Sequence, residues 1–430
     1  MKSPGSQGAT HFWRHSESLL ILIAFGMRVG FMLAQHTYQF SAVRNHFGFG
    51  FETGSIAGAI ARGEGFSSPF GVPTGPTAWI GPAYPYLLAG IFKLFGIFSD
   101  TSAIAILTIN CLFAAMTCWT IFHIAEEIFD RRTAWICGAM WAVTPFFFRY
   151  AITWVWDPPI SAFLLSLGVL WAIRMENPCR RDWVRFGLLA GISALVNPAL
   201  TTLFPILMVW VAWRLWRRGA KPFLQALTAL ATMLLCISPW LVRNRIVFGQ
   251  WVFLRSNAPF EFSLGNYPNS EGAPFAGRAP VTNPRVLDQY RKLGELGFVK
   301  FRGDEAMAWV KSHPADFAKL TLKRAVDFWD GGELRFEPLD DPWRPWMVSL
   351  ESGLAFAGLW LGLRRGVRNL GPIILMMIAY PLPYYLIYTN PRYRHAIVPL
   401  LVVLIGYPFA AVWTKLRSRE EQRTAATISS

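Results

Sequence analysis

The chain has 430 residues, of which 53% are hydrophobic and 16% charged, with 20 Trp and 34 Phe. A soluble globule has no use for so much apolar surface, whereas helices facing lipid do, so composition excludes an ordinary two- or three-domain soluble protein. The formal net charge of +15 does not indicate a nucleic-acid partner, because the basic residues fall in short runs between apolar segments, as in membrane proteins that keep positive loops inside.

Crossing roughly 30 Å of hydrocarbon takes about 20 helical residues. Apolar runs of about that length lie near 17–36, 103–127, 133–152, 158–174, 185–200, 201–217, 223–242, 345–363, 371–388 and 395–414. The first, Leu19–Ala34, has no small-residue cleavage site and is predicted to be an anchor rather than a signal peptide. Trp79–Phe98 holds two prolines, three glycines and Lys93. Counted as a crossing, it would move every later basic cluster outside, so it is predicted to be an interfacial or re-entrant helix. The run at 185–217 divides at Asn197-Pro198. With the N-terminus inside, Arg131-Arg132, Arg174–Arg185, Arg214–Lys221, Arg364–Arg368 and Lys415–Arg423 all fall on the cytoplasmic face. Opposite short loops carry only Arg149, Arg392 and Arg394.

The expected fold is therefore an all-α polytopic membrane protein of about ten transmembrane helices, in the plasma (inner) membrane, with both termini cytoplasmic. Residues 1–242 form an N-terminal transmembrane module whose long first external loop, 37–102, carries interfacial helices. Residues 243–344 form a small α-rich external domain, and 345–430 a C-terminal module with a cytoplasmic tail. Cys111, Cys118, Cys137 and Cys236 lie in apolar stretches and Cys179 in a cytoplasmic loop, so no disulfide framework is implied. No CxxC or His/Cys cluster indicates structural zinc.

Three external segments hold candidate chemistry. In FGFGFETGSIAGAIARGEGFSSPFG, Glu52 opens a segment with helical apolar spacing at Ile56, Ala59 and Ile60. It reads either as a carboxylate favoured by the helix dipole or as a catalytic acid. In RYAITWVWDPPISA, Asp157 precedes Pro158-Pro159, where it is either an N-cap or a partner for Glu52 on the same membrane face. In YTNPRYRHAIVP, Arg392, Arg394 and His395 crowd the face that otherwise avoids positive charge. Snorkelling is the alternative there to binding an anion such as phosphate, which suits the Arg fork. Arg243 and Arg245, in SPWLVRNRIVFG, add positive charge at the outer end of another helix. Arg28 lies inside the first apolar run and, with His123 and Glu351, is read as structural.

In order along the chain, the first-loop acid, GEGFSSPF, PAYPYLLAGIFKLFG, NPALTTLFP, PWLVRNRIVFGQWVFLRSN with LGNYPN, HPADFAKLTLKRAVDFW and PRYRHAIVPLL resemble the GT-C glycosyltransferases. The similarity is to the branch of protein O-mannosyltransferases and lipid A aminoarabinose transferases. That resemblance implies a polyprenyl-phosphate-linked sugar donor and a site on the non-cytoplasmic face. It maps the first-loop acid onto Glu52, the second-loop acid onto Asp157, and the late phosphate-contacting basic residues onto Arg392 and Arg394. Many relatives carry two adjacent acids in the first loop, whereas Glu52 is flanked by Phe51 and Thr53. One carboxylate is a poor site for a divalent ion, so no metal or other cofactor is assigned.

The chemistry of such a donor also calls for this set. A base must deprotonate an acceptor hydroxyl, and fixed cations must stabilise the departing phosphate. Glu52 is the candidate base, Asp157 its assistant, and Arg392, Arg394, His395, Arg243 and Arg245 the candidate phosphate ligands. The acceptor is a lipid, a glycan or a protein, with membrane lipids around the chain. A lipid-linked sugar flippase also needs cations near a lipid head group, but no inverted repeat is evident. In an O-antigen ligase or polymerase, basic residues of the late loop would carry the chemistry instead.

Overall fold

The computed structural model describes residues 5–40, 47–272, 274, 276–332 and 343–429. Stretches 41–46 of the expected first loop and 333–342 of the expected external domain lie outside the described residues. In chain order the helices are α1 (Gly5–Ala34), α2 (Glu52–Ala61), α3 (Ala83–Phe95), α4 (Asp100–Ile128), α5 (Arg131–Val143), α6 (Arg149–Ile152), α7 (Pro158–Arg174), α8 (Arg180–Val196), α9 (Leu203–Arg217) and α10 (Phe223–Phe248). Then follow α11 (Ala258–Gly265), α12 (Pro284–Ser312), α13 (Pro314–Asp330), α14 (Arg344–Arg364), α15 (Gly371–Ala379), α16 (Leu382–Leu386), α17 (Pro391–Arg394) and α18 (Val398–Ser429). No strand forms among the described residues.

The chain is a multi-pass membrane protein. Among the described residues, six segments are long and apolar enough to cross a bilayer: Glu17–Ala34, Asp100–Ile128, Pro198–Arg217, Phe223–Phe248, Arg344–Arg364 and Arg392–Trp413. The other four expected crossings are also helical but shorter, at α5, α7, α8 and α15–α16. The proline-broken Trp79–Phe98 stretch forms α3, whose 13 residues reach only about 20 Å at 1.5 Å per residue.

Packing follows from where small and polar residues fall. Helix α4 lies against α1, α5 and α7, while large apolar side chains such as Leu22, Val209 and Leu235 point outward, as lipid contact requires. Gly187 and Gly191 sit four apart on the face of α8 that meets α10. A Cβ at Gly187 would stand 2.2 Å from the Ala229 carbonyl oxygen, so only glycine lets these backbones approach. Arg28 turns into the bundle rather than reaching the interface. It is fully buried, donates to the carbonyls of Ala24 (2.9 Å) and Trp141 (2.8 Å), and sits 4.4 Å from the Phe148 ring centroid. Arg214 donates to the carbonyls of Ala172, Ile173 and Met175, satisfying acceptors left open where α7 ends.

A second, smaller core joins the first loop to the region after α10. Phe70 and Trp79 of the first loop pack with Phe260, Tyr290 and Phe298 of α11 and α12. The Trp79–Phe260 and Phe70–Tyr290 ring centroids are 5.0 and 4.9 Å apart. The region after α10 is thereby seated on the first loop.

Candidate active site

Local backbone geometry carries Glu52 to Asp157. Gly50 has φ of +80°, and a Cβ there would lie 2.2 Å from the Val155 carbonyl oxygen. The segment also bonds across, with the Val155 amide donating to the Gly48 carbonyl at 3.1 Å. The FGFG sequence therefore lets the first loop pass tightly over the turn before Pro158-Pro159. Phe51, next to Glu52, is held at φ 45°, a region costly for a bulky residue and often retained where a side chain must be aimed.

Glu52 and Asp157 open onto one cavity of about 120 Å³, lined also by Trp79, Arg255, Glu261 and Arg392. Burial pushes the Glu52 carboxyl up to about 7 against the pull of its own backbone N–H, of Arg392 and of Trp79, and Glu261 adds to the rise. Asp157 occupies the N-cap position of α7 but makes no side-chain capping bond. Its Oδ2 instead accepts from the Ser161 hydroxyl (2.8 Å) and the Asn197 amide (2.9 Å). Burial raises its pKa, while the Ser161 bond and Arg392 oppose the rise. Two carboxyls are thus held in one cavity, both raised by burial and both opposed by Arg392.

Arg392 faces the same space. Its guanidinium stacks 4.1 Å from the Trp156 ring centroid and donates to the Tyr393 hydroxyl at 3.2 Å. The Tyr393 and Tyr388 hydroxyls are 3.0 Å apart, and Tyr388 donates to Glu261 at 2.5 Å. Asn257 donates to the other Glu261 oxygen at 2.8 Å. Arg255 is half-buried in the cavity wall. Its stem is held by the Ser256 amide donating to the Ala78 carbonyl at 2.8 Å.

The other sequence candidates lie elsewhere. Arg394, two residues after Arg392, is buried and gives its guanidinium to Glu351 (2.7 Å) and Ser352 (2.8 Å). It lines a separate small cavity with His395, Arg149 and Arg344. Arg243 ties down the first loop, donating to the carbonyls of Thr77 (2.6 Å) and Phe66 (3.0 Å). Arg245 is exposed in the last turn of α10. Sequence reasoning missed Arg255, in the irregular chain after α10, and Glu261, in the first turn of the short α11. The signal available was the FLRSN that closes PWLVRNRIVFGQWVFLRSN.

Among the described residues no three His, Cys, Asp or Glu side chains form a group able to hold a metal. Asp157 and Glu261 already accept hydrogen bonds.

Residues 76–242 match the family described as dolichyl-phosphate-mannose-protein mannosyltransferase. Comparison of the whole sequence with curated proteins finds no match. The structure is similar to the apo oligosaccharyltransferase of Archaeoglobus fulgidus, with TM-score 0.56 and 13% identity over 96% of this chain and 52% of that one. It is also similar to the archaeal oligosaccharyltransferase AglB from Archaeoglobus fulgidus in complex with an inhibitory peptide and a dolichol-phosphate. There the TM-score is 0.51, with 13% identity, 96% of this chain and 52% of that chain covered. ArnT from Cupriavidus metallidurans bound to undecaprenyl phosphate aligns at TM-score 0.37 and 14% identity over 94% of this chain and 77% of that one. This chain spans about half the length of the oligosaccharyltransferase it matches. Its architecture is the GT-C fold of membrane glycosyltransferases, and through residues 76–242 it is related to the dolichyl-phosphate-mannose-protein mannosyltransferases.

Proposed function

We propose that this chain is a glycosyltransferase that moves a sugar from a polyprenyl-phosphate donor to an acceptor hydroxyl of a lipid, glycan or protein. The observation that carries this reading is one cavity presenting the carboxyls of Glu52 and Asp157 together with the guanidinium groups of Arg392 and Arg255. The family match and the dolichol-phosphate in a structural relative support a lipid-phosphate donor.

In this reading Glu52 takes the proton of the acceptor hydroxyl as its oxygen attacks the anomeric carbon. A buried carboxyl poised near neutrality is well matched to that task. The bond from the anomeric carbon to the phosphate oxygen breaks, and polyprenyl phosphate leaves into the field of Arg392 and Arg255, where charge develops. Attack opposite the leaving group inverts the anomeric centre. Asp157, oriented by Ser161 and Asn197, holds the acceptor. Arg394, bound to Glu351, fixes the helix that presents Arg392. The cavity faces the non-cytoplasmic side of the plasma (inner) membrane, both termini are cytoplasmic, and residues 243–344 act as an external domain covering the site.

The test is binding of a synthetic polyprenyl phosphate to purified protein in detergent. The Arg255→Ala, Arg392→Ala double variant is expected to bind at least tenfold more weakly than wild type. Unchanged binding in a normally accumulating double variant overturns the phosphate clamp.

A further inference from the structure

Glu295 lies in α12 just after Gly294, whose φ of 67° and ψ of 169° kink the helix. Its side chain is buried (6% exposed), although no lysine or arginine pairs with it among the described residues. Four donors from three separate segments satisfy it instead. Oε1 accepts the Ala78 amide at 2.8 Å and the Ser256 hydroxyl at 2.7 Å. Oε2 accepts the Tyr290 hydroxyl at 2.9 Å and the Thr77 hydroxyl. A buried carboxylate with every partner in place is strongly directional, and removing any one leaves an expensive unsatisfied group.

Two of the segments joined at this node, 77–79 and 255–256, reach the candidate cavity. Thr77 Oγ1, which donates to Glu295, accepts the Trp79 amide at 3.0 Å, and the Trp79 side chain lines the cavity with Glu52. Ser256, which also donates to Glu295, is the neighbour of Arg255 in the cavity wall. The node thus sets the distance between the residue that touches the candidate base and the residue that carries a candidate phosphate cation. It sits inside the small aromatic core of Phe70, Trp79, Phe260 and Tyr290, where rings on both sides keep water out.

We propose that Glu295 is a positioning residue that locks Thr77–Trp79 of the first loop to Arg255–Ser256, so that Trp79 is held on Glu52 and Arg255 in the cavity. This rests on the glycosyl-transfer reading of that cavity. A role confined to folding would change how much active protein accumulates. A positioning role changes how each folded molecule works, because a loosened Trp79 admits water to Glu52. Arg392 and Glu261 bear on that carboxyl directly, while Asp157 and Arg255 face it across the cavity; of these, Arg255 alone is tied to residue 295, through its neighbour Ser256.

The experiment uses purified full-length Glu295→Gln, with Glu295→Asp as the variant that keeps two oxygens. Two readouts are taken. The first is the pH profile of kcat for transfer from a synthetic polyprenyl-phosphate sugar, together with donor KM. The second is thiol labelling of Ser67→Cys, a position only 6% exposed, in a background lacking the five native cysteines. Glu295→Gln is expected to lower kcat at least tenfold, move the acid limb of the profile to lower pH, raise donor KM, and speed labelling at least tenfold. Glu295→Asp is expected to recover part of each, and serves alone if the Gln variant does not accumulate. An unmoved profile and KM per folded molecule overturn the proposal, even with faster labelling. Absence of transfer by wild-type protein is instead failure of the underlying reading, and labelling then still reports whether the node holds the loop.

Discussion

Replacing Glu52 by Gln keeps size and most hydrogen bonding but removes the ability to take a proton at neutral pH. If Glu52 is the base, turnover falls by about two orders of magnitude or more, while donor binding is kept. Stability separates this from a helix-dipole role. A carboxyl moved from its ordinary 4.5 up to about 7, at about 1.4 kcal/mol per pH unit, costs at most about 3 kcal/mol when charged. Because the folded-state pKa is raised, the folded protein holds this proton more tightly than the unfolded chain does. The associated stability is complete below about 4.5 and is lost as pH rises through about 7. Wild type therefore bears the full penalty at pH 8, and Glu52→Gln does not. The assay is thermal unfolding in detergent alongside single-turnover transfer. The variant is expected to melt above wild type at pH 8, with the gap fading toward pH 5. A variant that melts lower at pH 8 and still transfers sugar would refute the base and restore the helix-dipole role.

Three further outcomes are expected. Asp157→Asn can still accept from Ser161 and Asn197 through its amide oxygen, so its turnover should exceed that of Glu52→Gln when the two are assayed together. Native Cys179 and an engineered Glu64→Cys, both at exposed positions, should react differently with an impermeant thiol reagent in intact cells, only position 64 being labelled; labelling of Cys179 would overturn the topology. Arg324 is fully buried and donates to the Gly265 carbonyl (2.5 Å), Asn266 Oδ1 (3.1 Å) and the Leu386 carbonyl (3.1 Å). Arg324→Met leaves Asn266 Oδ1 without this donor, while Ser270 and Asn266 still serve the Gly265 and Leu386 carbonyls, and should cost about 1–3 kcal/mol, read as a fall in Tm without any effect on the pH dependence of transfer.

Much of the fold was legible because bilayer crossing imposes a length and a composition on each helix. The apolar runs and the prolines of Trp79–Phe98 carried that information locally. Glu52, Asp157 and Arg392 were also legible, since each is a charge beside a helix end on a face that can be deduced from loop charge. What loop charge cannot show is which way a side chain turns. Arg392 and Arg394 are two residues apart on α17, about 200° around a helix at 100° per residue, so one faces Trp156 and the other Glu351. Arg255, Glu261 and Glu295 were not legible for another reason. Each has a partner far away in sequence or faces residues that are, as Ala78 is from Glu295, and no local periodicity encodes such pairings. The same holds for Arg243, whose charge predicted an anion but whose guanidinium meets two backbone carbonyls of the first loop.

The central claim is tested most directly by incubating purified wild-type protein in detergent with a synthetic, labelled polyprenyl-phosphate sugar and a crude envelope extract as the acceptor source, and following both products. Release of polyprenyl monophosphate, matched by label appearing in an acceptor, is the expected result. Donor that binds but is never cleaved by the native protein, or that merely changes leaflet when the protein is reconstituted in vesicles, would contradict it.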